Sequence, residues 1–174
     1  MKMVIILTAT IAPKNVPDLK RVDSKKREKD YLEAIKYYAK FNLPIIFCEN
    51  SNTKSKKIID ILEQSKLEYE YLTFKSEKSK EGKGKGEAEI LSYLFSNSSL
   101  VQKSDIFIKS TGRYKVRNLK NQLKNIKEDH LYVNLINNLA MADSRFFIFS
   151  KSFFNNYLSK SFKHIDESNG FFME

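Results

Sequence analysis

Residues 44–52, Pro-Ile-Ile-Phe-Cys-Glu-Asn-Ser-Asn, contain the pattern that decides the fold of this chain. A short apolar run that ends in a polar cluster is typical of a buried strand followed by a loop. Residues 4–7 and residues 69–74 are runs of the same kind, and they predict one strand before and one strand after it. The segments between the runs decide how these three strands pair.

Both connecting segments have the periodicity of amphipathic helices. In the first segment, apolar side chains recur at i, i+3, i+4 and i+7, at positions Tyr31, Ala34, Ile35 and Tyr38. Asp23 or Ser24 is placed to cap this helix, and a second apolar stripe lies in residues 58–62. Because strands and helices alternate, the sequence predicts parallel strand pairing with right-handed crossovers.

The second half of the chain adds further elements. They are strands over residues 105–109, 131–135 and 146–149, a helix that begins near Glu87, and a helix over residues 151–158. The polar stretch from Lys75 to Gly86 is expected to be a mobile loop rather than a domain boundary. The whole pattern predicts an α/β protein with a single domain, in which three α/β/α layers surround a mostly parallel central sheet.

Composition narrows the class of protein. The chain has 174 residues, of which 41% are hydrophobic, and this suffices for one domain with a real core. No apolar run approaches the roughly 18 residues that span a bilayer, and the N-terminus lacks a signal-peptide cleavage pattern. The single cysteine, Cys48, excludes an internal disulfide and is expected to pack inside the protein. We therefore expect a soluble cytoplasmic protein.

The chain is strongly basic. Its net charge of +10 attracts phosphates, nucleic acids and acidic lipid surfaces. The densest part is residues 103–127, with eight basic residues and one acid, Asp105. This part lacks interleaved aromatic residues and any nucleic-acid motif, so a solvated basic face is favoured over a nucleic-acid interface. Peripheral contact with an anionic membrane surface stays open.

Two polar clusters are predicted at the carboxyl ends of the strands, where open α/β sheets bind their ligands. Gly82 through Glu87 precedes a helix, and its glycines and lysines could cradle a diphosphate; a flexible, solvated loop is an equal alternative. Lys109 through Tyr114 directly follows a strand, and the turn glycine lets Arg113 fold back over the strand ends. Arginine at such a position suits phosphate or carboxylate recognition, and a solvated surface turn is the alternative.

Carboxylates offer a second kind of chemistry. Asp143, at the entry to a predicted strand, could hold a metal or a sugar hydroxyl, or serve as a helix cap or ion-pair partner. Glu174 could act as a general base if the fold brings it to the cleft; a solvated terminal carboxylate is the alternative. His130 and His164 have no metal-ligand spacing.

Taken together, these segments resemble bacterial glycosyltransferase-like proteins of lipopolysaccharide and capsule gene clusters, which have a nucleotide-diphospho-sugar transferase (GT-A-like) fold. The resemblance covers residues 3–174 and is carried by Arg21 through Tyr31, Phe47 through Ser51, Gly82 through Glu87, Lys109 through Tyr114, Ala142 through Arg145, and Asp166 through Glu174. It implies one GT-A-like domain over residues 1–174, in which the usual C-terminal part of the family is short or absent. It also implies transfer of a sugar from a nucleotide-sugar donor to a glycan or lipid-linked acceptor.

The resemblance assigns roles to individual residues. From the nucleoside through the diphosphate to the donor sugar, the implied donor-binding residues are Thr8, Ala9 and Glu49, then Lys83, Lys85, Lys109 and Arg113, and finally Asp143 and Arg145. Glu174 is the implied base, and Asp143 the second catalytic candidate. Because Asp143-Ser144-Arg145 replaces the Asp-x-Asp metal motif, a Mg²⁺ or Mn²⁺ cofactor stays open, with Asp143 as its candidate ligand.

Two other functions stay open. A non-catalytic nucleotide- or polyanion-binding module would use the same basic segments and would explain the missing second carboxylate. A nucleic-acid-binding protein would rest on the net charge and on residues 103–127.

Overall fold

The computed structural model describes residues 1–17, 19–128, 130–139 and 141–170. Strands and helices alternate through most of the chain. In chain order they are β1 (Met3–Ala9), α1 (Ser24–Tyr38), β2 (Ile45–Glu49), α2 (Lys56–Gln64), β3 (Tyr69–Thr73), α3 (Lys83–Asn97), α4 (Ser99–Lys103), β4 (Ile106–Thr111), α5 (Leu119–Gln122), β5 (Tyr132–Ile136), β6 (Met141–Ser150), α6 (Lys151–Phe153) and α7 (Ser159–Ser161). A π-helical turn, Phe154–Leu158, joins α6 to α7, and the 3₁₀ turn Phe162–His164 follows α7. Asp23 caps α1 through the backbone N–H groups of Lys25 and Lys26, as predicted.

The six strands form one sheet in the order β3-β2-β1-β4-β6-β5. The first four strands are parallel, whereas β6 runs antiparallel to both of its neighbours. The mostly parallel sheet is thus confirmed. β1 lies at the point where the strand order reverses, because β2 is on one side of it and β4 on the other. In open α/β sheets, this reversal opens a crevice at the carboxyl ends of the two diverging strands.

Hydrophobic side chains cover both faces of the sheet, and β1 shows how. Ile5 and Leu7 pack with residues of α1 and α2, whereas Val4 and Ile6 pack with residues of α3 and α4. All four side chains are fully buried, because successive residues of a strand point to opposite faces. The three layers predicted from the sequence are therefore confirmed. Among the described residues, no helix is both long enough and apolar enough to cross a membrane.

The glycine-rich segment differs from the expectation. Instead of a loop that precedes a helix near Glu87, the helix α3 already begins at Lys83, and Gly84 and Gly86 lie inside it. A Cβ on Gly86 would come within 3.1 Å of the backbone of Ser79, so this glycine allows the 3₁₀ turn Ser79–Glu81 to pack against the helix. Close packing, rather than flexibility, accounts for this glycine.

Candidate functional site

A cleft of about 280 Å³ lies at the carboxyl ends of β1 and β4. Of the residues predicted from the sequence, those that line it are Thr8, Ala9, Lys83, Arg113 and Arg145. They come from β1, α3, the loop after β4, and β6, which are far apart in the sequence. The topological switch point therefore brings together side chains that the chain order alone keeps separate.

The loop after β4 is held tightly against the end of β1. The backbone N–H of Gly112 donates to the carbonyl of Thr8 over 2.7 Å. A Cβ at this glycine would lie 2.8 Å from the same carbonyl oxygen and 3.1 Å from the Tyr31 ring. Only glycine allows this approach, and the approach places Arg113 on the cleft.

Arg113 supplies a positive charge at the cleft wall. Its Nη1 lies 3.8 Å from a carboxylate oxygen of Asp30, which also pairs with Arg21. Its Nε is buried and has no hydrogen-bond partner among the described residues. A buried donor without a partner is costly unless a ligand satisfies it. The guanidinium can therefore donate to an anion.

Arg27 is a lining residue that the sequence analysis did not identify. It is buried on α1, where it donates to the backbone carbonyls of Thr10 and Arg21 and to the Tyr31 hydroxyl. Burial lowers the pKa of its guanidinium. The sequence could have identified Arg27 as buried, because it precedes Tyr31 by four residues and therefore lies on the same face of the helix.

Lys109 is fully buried behind the cleft. Its Nζ lies 2.5 Å from Oε1 of Glu87, and it also donates to the backbone carbonyl of Ser144. The Thr8 hydroxyl donates to the same Glu87 oxygen over 2.7 Å. Lys109 therefore holds Glu87 in place, and it is Glu87 that lines the cleft. The sequence analysis assigned no role to Glu87.

Glu49, which was predicted near the nucleoside, is fully buried under the loops that follow β1 and β2. Its carboxylate accepts from the backbone N–H groups of Ile11, Ser51 and Thr53 and from the Thr73 hydroxyl. It fixes the loops that form one side of the cleft. The neighbouring Asn50 lines the cleft and accepts a hydrogen bond from the Thr10 hydroxyl.

The two lysines of α3 that were predicted to bind the diphosphate, Lys83 and Lys85, line different cavities. Lys83 lines the cleft, whereas Lys85 lines a different cavity together with Glu81, with which it forms an ion pair of 2.8 Å. The hydrogen bond that Lys85 donates to the Glu81 carboxylate raises the pKa of Lys85. Two residues apart on a helix means a rotation of about 200°, so both side chains cannot reach one ligand.

Asp143 and Arg145 pair with each other on β6. Two nitrogens of the Arg145 guanidinium donate to the two carboxylate oxygens of Asp143 over 2.8 and 2.7 Å. These hydrogen bonds lower the pKa of Asp143, so the carboxylate is ionised at neutral pH. Arg145 lines the cleft and also lies 5.1 Å from the centre of the Tyr114 ring.

Two sequence predictions concern a general base, Glu174, and a metal ligand, Asp143. Glu174 lies outside the described residues. Among the described residues, no group of three or more His, Cys, Asp or Glu side chains could hold a metal ion. Asp143 pairs with the cationic Arg145, and no such group of ligands includes it, so the described residues do not form a carboxylate metal site around it.

The cleft carries a net positive charge. Its charged lining residues are Arg27, Lys83, Arg113, Arg145 and the acid Glu87. Lys109 pairs with Glu87, Asp30 with Arg113 and Asp143 with Arg145. An excess of cations over carboxylates remains at the cleft when these partners are counted. Such an arrangement is suited to a polyanion such as a diphosphate.

Comparisons with known proteins identify the fold. Neither a protein-family model nor a curated protein matches the sequence significantly. The structure aligns over its full length with core-mannan synthase A from Aspergillus fumigatus in its Mn/GDP form, at 13% identity and a TM-score of 0.51. The fold is GT-A-like. The chain spans 66% of the length of that synthase.

A cytidylyltransferase from Leptospira borgpetersenii serovar Hardjo-bovis aligns over 99% of this chain and 74% of its own, at 16% identity. The TM-score of this alignment is 0.48.

Proposed function

We propose that this protein is a glycosyltransferase that moves a sugar from a nucleotide-sugar donor to a glycan or lipid-linked acceptor. The observation that carries the proposal is the convergence of Lys83, Arg113 and Arg145 on one cleft at the switch point of a GT-A-like sheet. Most nucleotide-sugar donors carry a diphosphate, and cations from several segments match its charge and its length.

The chemistry of transfer suits this arrangement. The acceptor oxygen forms a bond to the anomeric carbon as the bond from that carbon to the diphosphate breaks, and the acceptor proton passes to a carboxylate base. Negative charge grows on the departing diphosphate, so fixed guanidinium and ammonium groups stabilise the transition state more than the ground state. Asp143 and Glu174 are the base candidates.

The remaining donor contacts follow from the walls of the cleft. Thr8 and Ala9 line the cleft at the end of β1, where we place the nucleoside. Glu87 adds a carboxylate that could accept hydrogen bonds from ribose hydroxyls. In this proposal Glu49 and Lys109 act from behind the cleft, by fixing its loops and Glu87, and Lys85 does not contact the donor.

A divalent metal is part of the test. The A. fumigatus synthase was solved in a Mn/GDP form, whereas the described residues around Asp143 do not form a carboxylate metal site. We propose that the cationic side chains bind the diphosphate. Donor binding is therefore expected with and without Mg²⁺ or Mn²⁺, and a titration in EDTA measures it.

The acceptor side is proposed to face an anionic membrane from the cytoplasm, in lipopolysaccharide or capsule synthesis. Leu135, Ile136 and Leu139 are exposed on β5 and the turn that follows it, and the basic residues 103–127 precede them in the chain. Exposed apolar side chains on a basic chain favour binding to anionic bilayers. Leu139→Ser should weaken binding to vesicles with anionic lipid, whereas Val22→Ser, which alters another exposed aliphatic residue, should not.

The test of the central proposal is a thermal-shift screen with UDP-, GDP-, CMP- and dTDP-linked sugars, followed by a transfer assay. A donor that binds the folded protein raises its melting temperature by mass action. Arg113→Ala should abolish the shift, whereas Arg117→Ala, an exposed arginine of the same loop that does not line the cleft, should retain it. Equal shifts in both variants, or no shift in the wild type, would refute the assignment. Binding without turnover would favour the non-catalytic module.

A further inference from the structure

A second cavity of about 510 Å³ lies beside the cleft. It is formed by the loop after β4, by α5 and by the strands β5 and β6. The donor-binding proposal does not use it, although its volume is larger than that of the cleft.

The lining of this cavity has the chemistry that binds sugars. Tyr114, Tyr132 and Phe146 supply aromatic surface, while Asn118 and Gln122 supply amide groups. Sugar rings have apolar C–H faces that pack on aromatic rings, and hydroxyl groups that need both donors and acceptors. Aromatic walls with a few convergent polar groups are typical of small-molecule sites, and amide side chains both donate and accept.

Asp143 adds a carboxylate, the strongest hydrogen-bond acceptor of the cavity lining. It is mostly buried, lines the second cavity, and is held in orientation by the two hydrogen bonds from Arg145. A carboxylate has about four acceptor sites, so acceptor capacity remains for hydroxyl groups. It is the one charged side chain that lines the cavity among the described residues, so this lining offers no cation to the carboxylate of an acidic sugar.

The second cavity and the cleft share a wall. Asp143 lines the second cavity, whereas the next two residues of β6, Ser144 and Arg145, line the cleft. The Arg145 guanidinium also contacts the ring of Tyr114, which lines the second cavity. A molecule in one site would therefore lie next to a molecule in the other.

We propose that the second cavity binds the acceptor as a neutral saccharide, packed on Tyr114 and hydrogen-bonded through its hydroxyl groups to Asp143. The role of this saccharide as the acceptor rests on the proposed transferase function, whereas saccharide binding itself does not. The cavity thereby defines the substrate class, a neutral sugar terminus rather than an acidic one.

The experiment measures saccharide binding and nucleotide binding separately on the full 174-residue chain. Saturation-transfer NMR screens neutral mono- and disaccharides, with N-acetylated forms, against uronic acids. Calorimetry then gives affinities for the saccharides that bind. We expect neutral saccharides to bind and uronic acids to bind more weakly. Tyr114→Ala should weaken the neutral ligand by about five- to tenfold, and Asp143→Asn by about tenfold.

Two further variants make the result decisive. Tyr157→Ala removes another exposed tyrosine, which does not line this cavity, and should leave the affinity unchanged. Gln122→Ala changes an exposed residue of the cavity rim and should weaken binding without altering the circular dichroism spectrum. No saccharide binding, preference for uronic acids, or an equal loss in Tyr157→Ala would overturn the proposal.

Nucleotide titrations separate this proposal from the first one. Binding of a nucleotide sugar without any saccharide binding would refute the second cavity alone. Saccharide binding that depends on Tyr114, without any nucleotide binding, would support the second cavity and refute the transferase.

Discussion

Lys109→Met should lower the free energy of unfolding by about 3 kcal/mol, because it leaves the carboxylate of Glu87 without its buried partner. The side chain of Lys109 is fully buried and that of Glu87 is 18% exposed, with 2.5 Å between Nζ and Oε1. Breaking such a pair typically costs about 3 to 5 kcal/mol. The lower end applies here because water reaches Glu87. Glu87→Leu should cost more, about 4 kcal/mol, because it leaves a charge in a fully buried position.

The double variant, Lys109→Met with Glu87→Leu, should be more stable than the sum of the single effects predicts, with a coupling of about 2 kcal/mol. Urea unfolding followed by far-UV circular dichroism measures all three, since the chain has no tryptophan. Lys103→Met is the control, because Lys103 and Glu68 form a pair of 3.5 Å with side chains 62% and 59% exposed. That pair should contribute less than about 1 kcal/mol. Equal effects of Lys109→Met and Lys103→Met, or strict additivity in the double variant, would refute the reasoning.

Three further outcomes are expected. Gly112→Ala should cost about 1 to 3 kcal/mol through overpacking and should remove the donor-induced thermal shift, because its Cβ would lie 2.8 Å from the Thr8 carbonyl oxygen and would displace Arg113. The pKa of Asp143 is lowered in the folded state, so its ionised form stabilises the protein above the unfolded pKa of about 3.9, and this stability is lost as the pH falls. The difference in unfolding free energy between the wild type and Asp143→Asn should therefore be constant between about pH 7 and 5 and should shrink below about pH 4. Burial raises the pKa of the Cys48 thiol, so a disulfide reagent at neutral pH should label it in urea and not in the native protein.

The sequence predicted the sheet well, since its central strands are buried on both faces. Residues 4–7 and 45–48 are continuous apolar runs, and they became the centres of β1 and β2. The antiparallel direction of β6 was not predicted, because periodicity gives the faces of a strand and not its direction. β6 also begins five residues earlier than expected, at Met141, since its first residues include the polar Asp143, Ser144 and Arg145 and lack an apolar pattern.

The site was harder to predict, and the reasons are physical. The glycine-rich segment was predicted to be a flexible loop, yet Gly86 lies inside α3, where it packs closely against Ser79 of the preceding 3₁₀ turn. The helix was predicted to begin four residues too late, so Lys83 and Lys85 were both expected to bind one ligand. In the helix α3 their side chains point in different directions. Lys109 was predicted at a strand end, but in β4 it lies within the buried layer, where only an ion pair makes its charge tolerable.

Two carboxylates, Glu49 and Glu87, show that the local sequence does not determine the hydrogen-bond partners of a side chain. Glu49 and Glu87 both follow apolar or small residues near a strand or helix end, and nothing in the local pattern distinguishes them. In the structure, donors from the chain itself surround Glu49, whereas Glu87 faces a cavity with part of its surface exposed. The difference depends on which donors the tertiary fold delivers, and those donors come from distant segments.

The cations of the cleft are fixed before any ligand arrives. Asp30 lies beside Arg113, Asp143 holds Arg145, and backbone carbonyls hold Arg27. Ordering a long basic side chain costs conformational entropy, of the order of 2 kcal/mol for each one, and here folding has already met much of that cost. Under the proposed function, a bound diphosphate would gain charge interactions without having to order each side chain, and the same preorganisation would keep the cations in place as the negative charge grows. Asp30 would thus support the proposed site through its ion pair with Arg113, although it would not touch the donor.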